Sequence, residues 1–503
     1  MSLKRNILAN YVSQIYVALI GIVMVPMYVR YMGAEAYGLV GFFAMLQAWF
    51  QLLDMGLTPT MARETARFNG GATDGLSLRR LLRAMEGIFI GVAVLGGTAM
   101  MAASGTLAGS WLKVQELPLI EVQHAIMLMA VIVALRWISG LYRGAINGFE
   151  SQVWLSGFNI VAATARFVLV IPFFMYLGSS PSEFFVYQLV IALLEVVLLV
   201  IKTYRLLPEK DMNQHMRWQW GPLRGVLKFS LNIAFTSLVW ILATQADKLV
   251  LSKMLPLTDY GYFTLAVLAA GGVMVISNPI SGALIPRLTK LGASGDDVGL
   301  IDLYRNATQL VVVIAVPASL VLALFSDQVL WVWTGDETLV NKVSSVLSLY
   351  ALGSGISVIG AFPYYLQYAK GDLKLHLIGS LIFVLFFVPT LIFLTSKLGM
   401  NGAGWTWLVS NLIYFLLWVP VVSHRFLPGL YWYWLIEDVI YTSAPVILVG
   451  WLLHEFMVWP VDRISVGFQL GLVGILFLTI SCLSSRKIRT VLLRRINFLG
   501  KFN

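Results

Sequence analysis

Runs of about 20 apolar residues recur along the whole of this chain, and they decide what it can fold into. A helix rises about 1.5 Å per residue, so such a run crosses the ~30 Å hydrocarbon core of a bilayer. No water is available there, and each crossing segment must satisfy its own backbone hydrogen bonds. Of 503 residues, 59% are hydrophobic and only 12% are charged. A soluble chain of that length has no way to hide so much apolar surface. The expected fold is all-α and polytopic.

Fourteen transmembrane helices are expected, at 7–31, 37–60, 85–110, 119–142, 152–177, 183–203, 229–253, 260–286, 306–332, 340–369, 375–396, 402–424, 436–456 and 464–485. An even number puts both termini on one side. Alternate threading places 26 of the 35 Lys and Arg on that side, 6 on the other, and 3 (Arg136, Arg166 and Lys248) inside spans. The positive-inside rule makes the rich side cytoplasmic. The net charge of +10 is this asymmetry, reinforced by attraction to anionic headgroups, and it gives no support to a nucleic-acid partner. The single cysteine, Cys482, excludes an internal disulfide and a cysteine metal site. The first span lacks a small-residue cleavage pattern and reads as an anchor, not a removed signal. No nucleotide-binding Gly-rich loop or metal-ligand cluster appears, so neither a cofactor nor a metal is expected.

The longest extramembrane stretch, a basic linker near 204–228, separates spans six and seven. Landmarks on either side repeat. Arg30 with Tyr37–Gly38 matches Lys253 with Tyr260–Gly261, Gly148–Phe149–Glu150 matches Gly371–Asp372–Leu373, and Leu177–Gly178 matches Leu398–Gly399. The offsets are 223, 223 and 221 residues. The expected organisation is an N-terminal six-helix bundle at 1–204, a cytoplasmic linker at 205–228, and a C-terminal six-helix bundle at 229–425. Two extra transmembrane helices and a basic cytoplasmic tail follow at 426–503. Six spans per half means parallel repeats related by an axis along the membrane normal, the plan of alternating-access carriers.

Asn10–Tyr11, the segment from Tyr28 through Arg30, Gly33 and Tyr37 to Gly38, and Asp54–Met55–Gly56–Leu57 resemble the opening of the polysaccharide flippases. These form the O-antigen (Wzx-type) branch of the multidrug/oligosaccharidyl-lipid/polysaccharide exporter superfamily. Asn147–Gly148–Phe149–Glu150 and Asp247–Lys248–Leu249 resemble later landmarks of the same family. The resemblance implies two six-helix bundles around a central cavity. It implies an oligosaccharide repeat unit linked by pyrophosphate to undecaprenol as cargo, moved from the cytoplasmic to the periplasmic leaflet of the bacterial inner membrane. It also implies a polysaccharide polymerase and a chain-length regulator as partners. The alternative is another exporter of the superfamily: a drug/cation antiporter or a peptidoglycan-precursor flippase. A membrane enzyme is disfavoured, because every outer loop is short.

An ionisable side chain at mid-bilayer costs roughly 2.5–3.5 kcal/mol on insertion scales, so such residues need water or a partner. Arg166 lies near the middle of span five. At 100° per residue, Gln152, Asn159 and Ala163 share its face. Either it lines the cargo path, where its fork suits pyrophosphate oxygens, or it pairs structurally with Glu195 of span six. Arg136 shares a face with Ser139 and Arg143. Arg30 and Lys253 end corresponding spans; either they form a cationic ring at the outer surface or they snorkel. Lys248 either lines the cargo path or snorkels to the outer surface. Asp247 and Lys248 are sequence neighbours and are not expected to face each other. Gln47, Gln51, Asp54 and Thr58 follow helical spacing and suggest a polar groove, with Asn159 and Asn232 as further polar candidates; interhelical hydrogen bonding is the rival. Asp54, Glu195 and Asp247 are the three expected buried carboxylates and the candidates for a coupling ion. The 431–434 run Tyr-Trp-Tyr-Trp is expected to be an interfacial belt.

Overall fold

The computed structural model describes residues 3–208 and 221–489; within them, the side chains of 3, 4, 7, 221–237, 276–279 and 281–283 lie outside the described set. The described residues are helical, with no strand beyond one isolated bridge between Lys113 and Pro256. Thirteen helices among them have the length and apolarity to cross a membrane. They are Leu8–Met32, Ala34–Asp54, Gly75–Ala102, Leu119–Gly148, Gln152–Tyr176, Pro181–Leu206, Leu257–Val275, Asp297–Leu324, Glu337–Lys370, Lys374–Leu398, Met400–Phe426, Leu430–Phe456 and Arg463–Ser484. The fourteenth expected span, 229–253, falls in helix Gly221–Met254, half of whose side chains are outside the described residues.

Helix ends follow local chemistry. Ser180 accepts from the Glu183 backbone N–H at 3.3 Å while Glu183 accepts from the Ser180 N–H at 2.9 Å. This reciprocal box, with Pro181 in the first turn, starts the sixth span. Asp74 caps the third span and Asp462 the last by accepting from the N–H of Ser77 and Ser465.

The sixth span shows how these helices face lipid. Val186, Val190, Leu193, Leu194, Val197 and Leu198 are exposed at helical spacing. Gln188, Ala192, Glu195, Leu199 and Thr203 on the other face are buried. Lipid is as apolar as leucine, so the outward stripe is satisfied there, and the polar groups turn inward.

Small residues let helices approach. Gly140, Gly144 and Gly148 form one stripe of the fourth span, against helix Leu57–Asn69. A methyl group on Gly144 would sit 2.6 Å from the Thr58 carbonyl oxygen, and one on Gly148 2.5 Å from Thr65 Cβ.

The chain divides into two compact units, Met1–Gly261 and Tyr262–Asn503. Helix Gly221–Met254 packs on the second and third spans within the first unit. Gly38 and Gly261, equivalent positions in the proposed repeat, meet there; a methyl on Gly261 would lie 2.6 Å from the Ala34 carbonyl and 2.9 Å from the Gly38 nitrogen. Beside them, buried Glu35 accepts from the N–H groups of Gln115, Glu116 and Leu117 at 2.5, 2.8 and 3.0 Å. Lys113 continues the strap, donating from Nζ to the Met254 carbonyl at 2.8 Å and accepting from Leu257 N–H at 3.0 Å. In the second unit, Trp434, Tyr304 and Phe362 anchor a core in which the Trp434 indole donates to Thr308 Oγ1 at 2.9 Å.

Two expectations fail at this level. The polar stripe from Gln47 to Thr58 assumed one continuous helix. The helix instead ends at Phe50, a 3-10 turn runs Gln51–Asp54, and Met55 (φ 45°) and Gly56 (φ 72°) are left-handed before a new helix starts at Leu57. Left-handed backbone at Gly56 is what glycine permits, and it breaks the face. The 431–434 belt is split as well: Trp432 and Tyr433 are exposed, whereas Tyr431 and Trp434 are core residues.

Overpacking a close helix contact costs about 1–3 kcal/mol. Gly144→Val and Gly148→Leu are therefore expected to lower the melting temperature in detergent. Gly157→Ala, in open space, leaves it unchanged or slightly raised. Equal melting temperatures for all three would contradict the close packing of helix Leu57–Asn69 on the fourth span.

Candidate functional site

Within the first unit, five spans contribute to one polar network. Arg166 stands in a π-helical turn, Thr164–Val168, that interrupts the fifth span. A π turn carries an extra residue and leaves carbonyls in need of donors. Neighbouring side chains supply them. Tyr187 Oη donates to the Ala165 carbonyl at 2.6 Å, Gln188 Nε2 to Arg166 at 3.0 Å, and Tyr28 Oη to Phe167 at 3.1 Å. Tyr16 Oη and Thr164 Oγ1 lie 2.7 Å apart. The turn is thus pinned from the first and sixth spans.

The extra residue turns Arg166 toward the sixth span. Its Nε and terminal nitrogen donate in a fork to the two oxygens of Glu195. Arg143 of the fourth span also approaches Glu195, at 3.5 Å, and donates to Asn159 Oδ1. Arg136, one heptad earlier on that span, donates to Gln47 Oε1 and Gln188 Oε1, both at 2.8 Å, and lies over the Phe43 ring at 5.1 Å. Its Nε is buried without a hydrogen-bond partner among the described residues. The 100° count placed Gln152 and Asn159 on the face of Arg166. Asn159 joins the same network through Arg143, which shares Glu195 with Arg166, whereas Gln152 bonds Asn147 at the helix end.

Among the described residues, two guanidiniums therefore pair with Glu195, and a third, Arg136, joins the network through Gln188. Glu195 is 6% exposed at its side chain, against 22% for Arg166 and 28% for Arg143, so the acid lies deeper than the bases. The network carries a surplus of positive charge.

The other candidates stand apart from it. Asp54 accepts from Thr58 Oγ1 at 2.6 Å and from Thr58 N–H at 3.2 Å, so it serves the start of the next helix. Gln51 and Arg30 are exposed. Lys253 is exposed, with Nζ 5.0 Å from the centre of the Trp111 ring. Lys248 donates to the Thr244 carbonyl at 3.0 Å, and its Nζ comes to 3.7 Å from Asp247 Oδ1. The expectation that these neighbours do not meet is thereby corrected: the lysine stem is long enough to fold back along the helix. Asn232 lies outside the described residues.

The tally of three buried carboxylates is also corrected. Glu35, Glu64 and Asp438 are buried, and Asp54 is only half-buried. Asp438 lies near the start of the expected span 436–456 and is not among the three expected buried carboxylates. It sits in a π-helical segment, Trp434–Ile440, and is 0% exposed. Arg305 Nε donates to it at 2.7 Å, and the same guanidinium reaches Glu437 at 3.0 Å. Gln309 donates to Asp438 at 2.6 Å and accepts from Ser485 Oγ at 2.7 Å; Arg486 comes to 3.8 Å from Glu437. This second network ties together three helices of the second unit. Two cations face two carboxylates, and the charge is balanced.

The chain belongs to the family of polysaccharide biosynthesis proteins, whose pattern matches residues 3–292. A Shigella flexneri protein named "Putative O-antigen transporter" is 18% identical over 424 residues, which are 83% of this chain and 97% of that one. The fold is shared with the lipid II flippase MurJ in its inward closed conformation, at TM-score 0.71 and 15% identity over 98% of this chain and 100% of that one. It is also shared with an inward-facing multidrug resistance MATE family transporter of the MOP superfamily, at TM-score 0.69 and 15% identity over 83% of this chain and 98% of that one. This is a membrane protein with a MOP-superfamily transporter fold.

Removing one partner of a buried ion pair costs about 3–5 kcal/mol, because the other charge is stranded. Arg305→Ala is expected to lower the melting temperature sharply, and Arg305→Ala with Asp438→Ala to lower it less. A loss in the double variant equal to the sum of the Arg305→Ala and Asp438→Ala losses would show that the two charges do not couple.

Proposed function

We propose that this protein is a flippase. It moves undecaprenyl-pyrophosphate-linked oligosaccharide repeat units from the cytoplasmic to the periplasmic leaflet of the bacterial inner membrane by alternating access, for O-antigen or related polysaccharide assembly. Both termini are cytoplasmic in this reading, six-span halves flank the 205–228 linker, and the chain performs transport and not catalysis. A polymerase and a chain-length regulator act on what it delivers.

One observation carries the reading: three arginines and one carboxylate in a single network on spans four to six. Surplus positive charge inside a membrane protein is costly, and an anionic guest offsets that cost. The pyrophosphate diester of a lipid-linked sugar brings negative charge at the point where polar headgroup meets apolar tail. Guanidinium forks grip phosphate oxygens in pairs and stay charged at any working pH. In a medium of low dielectric each such contact is stronger than in water. A drug/cation antiporter needs the opposite surplus. The MurJ-like fold over nearly the whole chain makes a peptidoglycan precursor, which has the same diphosphate chemistry, the second reading; the glycan distinguishes the two.

The test is a leaflet assay in proteoliposomes, with a fluorescent oligosaccharide on a polyprenyl diphosphate and an impermeant quencher. Wild type is expected to move the lipid-linked sugar and not the free sugar. Arg166→Ala should slow transport at least about tenfold, equivalent to ~1.4 kcal/mol, and Arg166→Lys should retain part of it. Transport by Arg166→Ala at the wild-type rate and equal protein level would contradict the role of this arginine. Transport of the free sugar with no lipid-linked activity would contradict the function.

A further inference from the structure

We propose that Glu195 is a built-in competitor of the cargo's anionic headgroup, holding Arg166 and Arg143 until the headgroup displaces it and thereby setting both affinity and release. The inference rests on the function proposed above and concerns one residue that this function does not need for binding.

The geometry is that of a surrogate ligand. Glu195 offers two oxygens to Nε and a terminal nitrogen of Arg166, the fork–fork arrangement in which arginine also takes phosphate. The same carboxylate is shared with Arg143 at 3.5 Å. Arg136 differs: amide oxygens of Gln47 and Gln188 orient it, it makes no ion pair among the described residues, and its buried Nε is without a hydrogen-bond partner there. Arg136 is thus ready for an anion, while Arg166 must first let one go.

The carboxylate and the headgroup cannot both hold the Arg166 fork. Binding is then an exchange, and its apparent affinity falls by the fraction of time that Arg166 is free of Glu195. A fork free about one-tenth of the time weakens the apparent Kd about tenfold. The exchange has a use. A carrier must hold its cargo weakly enough to leave it. After release the carboxylate returns to the guanidinium, so the empty site does not strand the full charge of three arginines. Amide anchors do otherwise for Arg136, because a neutral oxygen orients a guanidinium without cancelling its charge. Glu195 itself sits deep, on the buried face of the sixth span, where no solvent cation substitutes for the arginines.

Titration of the full-length protein in nanodiscs with farnesyl diphosphate, a short-chain lipid diphosphate, tests this. Glu195→Gln keeps the shape and one acceptor oxygen, replaces the other with an NH2 donor, and removes the charge. It is expected to tighten binding about tenfold and to slow turnover in the leaflet assay, because release becomes limiting. Glu195→Asp keeps the charge but shortens the reach, and should tighten binding by a smaller factor; it also serves if the Gln variant does not fold. Equal or weaker binding by the folded variants, with wild type binding normally, would overturn the competitor role and leave the proposed function standing. Failure of farnesyl diphosphate to bind wild type and Glu195→Gln alike would overturn the proposed site, and the competitor role with it.

Discussion

Three guanidiniums stand in one network with a single carboxylate, which pairs with two of them, and the functional account depends on that imbalance. Bilayer-spanning helices are cheap to build from Leu, Val and Phe. Charges placed among them need a reason, since each costs a few kcal/mol when unpaired. Arg166 and Arg143 have Glu195, whereas Arg136 has only amide oxygens and the face of Phe43. The surplus is held in place by neutral groups that orient charge without removing it, the arrangement expected for a guest that carries its own negative charge.

The second unit provides the contrast. Arg305, Arg486, Glu437 and Asp438 also form a buried network, with Gln309 and Ser485 completing it. There the signs match, the carboxylate of Asp438 is fully enclosed, and the members join helices that need fixing. A balanced network is a fastening. The unbalanced one in the first unit is the proposed receptor. Burial alone does not separate the two; charge count and the identity of the partner atoms do.

Much of this was legible in the sequence. Apolar run length and the Lys/Arg asymmetry gave an all-helical membrane fold, and the improbable positions of Arg136 and Arg166 pointed to the network. Glu195 was foreseen as a rival explanation of Arg166; the structure contains that pair and leaves charge over. What escaped were departures from a regular helix. The π turn at Thr164–Val168 interrupts the uniform 100° step from which the face of Arg166 is counted. The left-handed pair Met55–Gly56 cuts the polar stripe of the second span, and Asp54 becomes the acceptor for Thr58. The π segment Trp434–Ile440 carries Asp438 inside. Each is one extra residue or one inverted dihedral. Side chains far off in sequence, such as Tyr187 for the Ala165 carbonyl, satisfy the groups that these departures expose. No local spacing rule contains such partners.

The most direct measurement is a cryo-electron microscopy map of the full-length protein in nanodiscs with a polyprenyl-diphosphate oligosaccharide bound. The account predicts phosphate density within hydrogen-bond reach of Arg136 and Arg166, with Glu195 withdrawn from the Arg166 fork. Phosphate density elsewhere, with the Arg166–Glu195 pair intact, would contradict it.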